Sequence, residues 1–144
     1  MIQKDFIANP NSIIYVISPY ISTDILIKLL DELPNENVVV LTNWNGGNLV
    51  QGSSNLDLFP YLESKGWSLL IIDNLHAKLY SAGLNSAWIG GANLTNRGMG
   101  FDPNEEVMAF VEYLDEQDVN SIQSLIDNSV PVGLELYNQY KICL

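Results

Sequence analysis

Three short apolar runs, residues 12–18 (SIIYVIS), 37–42 (NVVVLT) and 67–73 (WSLLIID), alternate with segments of helical periodicity. That alternation constrains the fold more than any other feature of the chain. Each run is rich in β-branched residues and bounded by turn formers, the pattern of a strand buried on both faces. Between the first two runs, STDILIKLLDEL repeats its apolar residues at helical spacing; Ser22 or Thr23 can cap its start and Pro34 follows its end. Between the second and third, NLDLFPYLESKG is a shorter helical pattern stopped by Gly66. A βαβαβ order predicts parallel strands joined by right-handed crossovers.

After Asp73 the pattern changes. LHAKLYSA and SAWIGG are strand-like and separated by the turn signal GLN, so they predict a hairpin added to the sheet. EEVMAFVEY is a further strand, and DEQDVNSIQSLIDNS is a helix closed by Pro131. No repeat, low-complexity tract or linker interrupts this order. The expectation is one α/β domain over residues 1–144, with a mixed, largely parallel sheet flanked by helices. Its 144 residues suffice to bury a core, and a hydrophobic fraction of 47% argues against disorder. A single cysteine, Cys143, allows no internal disulfide, and no Cys/His cluster offers a zinc site. These features fit a reducing, cytoplasmic setting. The N-terminal MIQKDFIANPNS has acidic and polar breaks unlike a signal peptide, and no apolar run is long enough to span a bilayer.

Charge pulls in another direction. A net charge of -11 with six Lys and Arg repels nucleic acid at long range and offers few phosphate contacts. Taken alone it points to a protein partner, a small substrate, or an assembly with a basic component. The acidic run from Asp102 to Asp118 reads as a solvated face, and the scattered Tyr and Trp residues form no evident stacking platform.

The only histidine lies in LHAKLYSAGLNSAWIGGANLTNRG, residues 75–98. Alternation along a strand gives His76 and Lys78 one face and Ala77 and Leu79 the other. Across the hairpin, the chain leaves its strand through Gly90 and Gly91, which permit close backbone approach, and delivers Asn93. An imidazole, an ammonium and a carboxamide at one sheet edge make a phosphate site: Lys supplies charge, Asn supplies N–H donors, and His attacks phosphorus or protonates a leaving oxygen. Thr95 and Asn96 read as helix-capping residues; Arg97, the one arginine, is either a second phosphate contact or a salt-bridge partner. NWNGGN, residues 43–48, either lines the cleft at a strand's C-terminal end or is an ordinary glycine turn.

His-x-Lys followed at hairpin spacing by GGANLT resembles the signature of the phospholipase D superfamily, its nuclease-like branch above all. The resemblance spans roughly residues 12–113, with YVISPYIS and VVVLTNW standing where that branch has its first two strands. It implies that His76 is the nucleophile, forming a phosphohistidine, or the acid of the paired site, and that Lys78 and Asn93 bind the non-bridging oxygens. It further implies that Glu106, with Glu105 as the second choice, orients the imidazole and stabilises its cation; the residues alone also allow Glu106 to be a solvated strand carboxylate. The sequence departs from the fuller pattern twice. Gly83 stands where an aspartate follows the lysine by five residues, and Gly90-Gly91 replaces Gly-Ser, leaving a backbone N–H in place of a hydroxyl.

The family reaction uses two histidines and no divalent metal or cofactor. A chain with one motif supplies two only by pairing with a second copy across a two-fold axis. The leading expectation is therefore a metal-independent phosphodiesterase, a nuclease acting on DNA or RNA as a homodimer. By analogy alone it belongs in a defence or restriction complex. The alternative is a catalytically impaired module of the same fold serving in protein assembly or regulation. A third reading, an active subunit borrowing basic surface from a protein partner, reconciles the motif with the charge.

Overall fold

Alternation along the strands sorts their side chains onto two faces, and each face carries its own core. The structure, a computed structural model, describes residues 2–44, 56–90 and 108–143. In chain order these form α1 (Ile2–Ile7), β1 (Ile14–Ile17), α2 (Thr23–Leu30), β2 (Val38–Thr42), α3 (Leu58–Ser64) and β3 (Ser68–Ile71). There follow β4 (Leu79–Ala82), β5 (Ala87–Gly90), β6 (Met108–Val111), α4 (Glu116–Asp127), β7 (Val130–Pro131) and α5 (Leu134–Cys143). Ile14, Val16, Val38, Val40, Leu69 and Ile71 point to the face covered by α1, α2, α3 and α5. Tyr15, Ile17, Leu41 and Leu79 point to the other, against Val119, Ile122, Leu125 and Ile126 of α4. Removing each such aliphatic side chain from water contributes about 1.5–3 kcal/mol, which is why the β-branched runs become the centre of the sheet.

The strand order is β6-β5-β4-β1-β2-β3-β7. β1, β2 and β3 are parallel, as the βαβαβ pattern requires. The expected mixed sheet flanked by helices is thus present, with its parallel part confined to these three strands; β4, β5, β6 and β7 all join antiparallel. The predicted hairpin is β4–β5. Its turn places Gly83 at φ 83° and Leu84 at φ 61°, and the buried Ser81 hydroxyl accepts the Leu84 N–H at 3.0 Å. Gly66 ends α3 as expected: it takes φ 72°, its N–H reaches Glu63 O, and the Trp67 N–H reaches Leu62 O at 2.9 Å.

Three elements depart from the sequence reading. α1 and α5 are helices that no periodicity announced, and Pro131 lies within β7 rather than closing a helix. β7 is an edge strand, where a missing N–H costs no ladder bond. At α2, Ser22 is the N-cap residue without a side-chain cap bond, and Thr23 Oγ1 instead donates to Asp57 Oδ1 at 2.8 Å. No helix among the described residues is long and apolar enough to cross a membrane.

Candidate active site

The parallel strands end on one rim of the sheet, and β4, running the other way, begins there. β3 ends two strands away from β4's neighbour β1, so residues 72–78 must travel along this rim over the ends of β2 and β1. The Ile72 N–H bonds Thr42 O at 3.1 Å at the start of that path, and Asn74 turns the chain at φ 57°, a conformation asparagine tolerates. Leu75 then plugs into the α4-side core at 3% exposure. His76 follows it into solvent, and Lys78 is half-buried.

His76 and Lys78 were expected on a strand, but β4 begins one residue later, at Leu79. The extended pairing still reaches Lys78, because the Gly90 N–H bonds Lys78 O at 3.3 Å. Lys78 is therefore flanked by the C-terminal end of β5. On its other side, the β1–β4 register of Ile17 with Leu79 brings Ser18 opposite Lys78 one step beyond the ladder. Ser18 is fully buried; its N–H bonds Leu41 O at 3.0 Å and its hydroxyl donates to Tyr20 O at 3.1 Å, which leaves the Tyr20 ring at the rim with 38% exposure. Ser18 and Tyr20 fall in the SPY stretch that ends the first strand, and only the antiparallel partner of β1 shows that Ser18 stands opposite Lys78.

Of the four catalytic candidates, the structure brings His76 and Lys78 to this rim. Asn93 and Glu106 lie outside the described residues, as do Gly91, Thr95, Asn96, Arg97 and Glu105. The strands flanking that stretch pair with each other there, Gly90 opposite Met108. Of NWNGGN, Asn43 and Trp44 are described and the rest is not. Both follow the end of β2 on the same rim, and Asn43 Oδ1 and Trp44 Nε1 are buried with no hydrogen-bond partner among the described residues. Gly83 sits at the far end of β4, away from the rim.

Chemically, the rim offers an exposed imidazole able to attack or to carry a proton, and an ammonium able to hold a phosphate oxygen. The architecture that presents them is a phospholipase D-like α/β fold. Among solved structures, the chain is similar to NucT from Helicobacter pylori, with a TM-score of 0.63 over 91% of this chain and 88% of that one, at 10% identity. It also aligns, at a TM-score of 0.48 and 15% identity, with TrmBL2, an archaeal chromatin protein described as showing a novel mode of DNA binding; the match covers 87% of this chain and 45% of that one. No family model and no curated protein matches the sequence.

Proposed function

We propose that the chain is a phospholipase D-like phosphodiesterase that cleaves nucleic acid as a homodimer. The observation that carries this reading is the pairing of exposed His76 with half-buried Lys78 on the rim where the parallel strands end, within a fold like that of NucT. In the reaction, one His76 imidazole attacks phosphorus and the P–O bond to the leaving group breaks. The departing oxygen takes a proton from the imidazolium of the partner subunit's His76. Water then attacks the phosphohistidine, the now neutral partner imidazole takes its proton, and the P–N bond breaks to restore the enzyme. Lys78 and Asn93 hold the non-bridging oxygens, and Glu106 orients the imidazole.

The net charge of -11 favours a second reading, in which the fold and pocket serve assembly rather than cleavage, or a basic partner supplies the phosphate contacts. The test is cleavage of single- and double-stranded DNA and RNA by purified protein in EDTA. Activity that disappears in His76→Ala supports the enzyme. Activity that persists in that variant rejects this site. Silence of the wild-type chain both alone and with a basic partner favours assembly.

A further inference from the structure

The two edges of the sheet are finished differently. Native proteins blunt an edge strand with charge, proline, a bulge or extreme shortness, because its outward N–H and C=O groups are a template for a further strand. β7 follows that rule, with two residues of which one is Pro131. β6 does not. Met108–Val111 holds no charge and no proline, and no described strand pairs with its outer side. Ala109 and Phe110 within it are exposed.

Register fixes which groups β6 offers. The Gly90 N–H bonds Lys78 O, so Trp88 and Gly90 turn their backbone groups towards β4, and Ala87 and Ile89 turn theirs towards β6. The partners of those two, Val111 and Ala109, are used up in that ladder. Met108 and Phe110 therefore point their N–H and C=O groups out of the sheet. The side chains add a second pattern. Tyr80, Trp88 and Phe110 stand opposite one another on neighbouring strands, and the Trp88 and Phe110 rings lie 4.9 Å apart at an angle of 50°. Exposure rises along this row from 0% at Tyr80 to 41% at Phe110, where the row stops at the open edge.

We infer that β6 is a docking edge for a second copy of this chain, a surface separate from the rim that carries His76. Three observations select the occupant. Copies that each carry a net charge of -11 repel, so they meet closely only where charge is absent, and β5 and β6 hold none. A two-fold axis through the edge keeps each face of the sheet on its own side. Phe110 then sits opposite the partner subunit's Phe110, their outward groups exchange two hydrogen bonds, and the row of rings continues across the axis. Finally, β7 with its Pro131 takes no further strand, so addition stops at two copies instead of running into a fibre. Pairing between four-residue strands makes a small interface, so the association is weak and depends on concentration.

The test follows mass and amide hydrogen exchange of the full chain over a concentration series. As concentration rises the mass doubles, and added salt strengthens the doubling by screening the net charge. The amides of Met108 and Phe110, fast to exchange in dilute solution, become protected in step with the mass. Phe110→Glu sets like charges opposite each other at the axis and weakens the association by about tenfold. Ile142→Glu makes the same change of charge at an exposed residue of α5 and leaves the association near wild type. A mass that never rises, or a rise that Phe110→Glu leaves unchanged, overturns the inference. Protection of the two amides already present in dilute solution means that the chain's own residues cover the edge. Protection brought only by an added peptide of alternating Val and Lys means that a basic partner strand belongs there. Either result overturns self-pairing. No reading depends on cleavage, so the edge and the phosphodiesterase stand or fall separately.

Discussion

At Gly83 the backbone takes φ 83°, five residues after Lys78 and at the opposite end of β4 from it. That position shapes the hairpin turn and stands away from the rim. A Cβ at Gly83 would meet Ser12 Oγ at an ordinary 3.5 Å, so strain comes from the dihedral alone. Gly83→Ala should thus lower the unfolding free energy by about 1–2 kcal/mol, read by denaturant titration, while leaving cleavage by the folded protein unchanged. His76→Ala should instead leave stability near wild type, since the side chain is exposed, and reduce cleavage by at least about 10²–10⁴-fold. His76 and Lys78 were legible as a pair because their spacing is written in adjacent residues. Ser18 and Phe110 were not, because what places them is which strands become neighbours. Phe110 in particular sits in an ordinary apolar run, and nothing in that run says that it will end the sheet.

Among the elements, those with strong periodicity were readable and those held by tertiary contact were not. β1, β2 and β3 follow their β-branched runs, shortened at the ends where the ladder stops. α1 has six residues and is a helix because Ile2 and Phe6 lock into the core. α5 is polar along most of its surface, and Leu136, Tyr137 and Tyr140 fix it against the sheet. β7 has two residues and exists through Leu70 and Ile71 of β3. The link between α2 and α3 has a pH signature. Tyr61 of α3 donates to Asp31 Oδ1 at 3.2 Å, and its phenol is pushed up to about 12 by burial, with the charge and hydrogen bond of Asp31 adding to it. A group whose pKa is raised on folding stabilises fully below its unfolded value and loses that contribution as pH rises through the folded one. Thermal melts of wild type and Tyr61→Phe should therefore differ by a constant amount up to about pH 10 and converge between about 10 and 12. A difference that stays constant across that window would show that the phenol proton is not held by the fold.

Across the whole molecule, charge is segregated by layer. Lys4, Lys28, Lys65 and Lys141 belong to α1, α2, the end of α3 and α5, all on one side of the sheet. α4 on the other side carries Glu116, Asp118 and Asp127 and no basic residue. Four of the six cations therefore sit on a helical layer, leaving Lys78 and Arg97 for the motif. If both bind phosphate in the proposed homodimer, two copies would offer four contacts. At about -0.7 per contact for single strands, the logarithm of affinity should fall with the logarithm of salt at a slope of roughly -3. A much steeper slope would reveal cations from a partner. Light scattering on the active protein should give the mass of a dimer, and a strict monomer would end the two-histidine mechanism. Mass alone does not decide activity, however, because the strands have a direction. β6 closes one side of the sheet and exposes Phe110 at 41%. Two copies joined along β6 by a two-fold axis must run antiparallel, making one continuous sheet. Such a join turns one copy upside down relative to the other, so the two histidines face away from each other on opposite edges of the combined sheet. Under the proposed two-histidine mechanism a productive pair would have to meet head to head, and a dimer zipped along β6 would be well formed and catalytically mute.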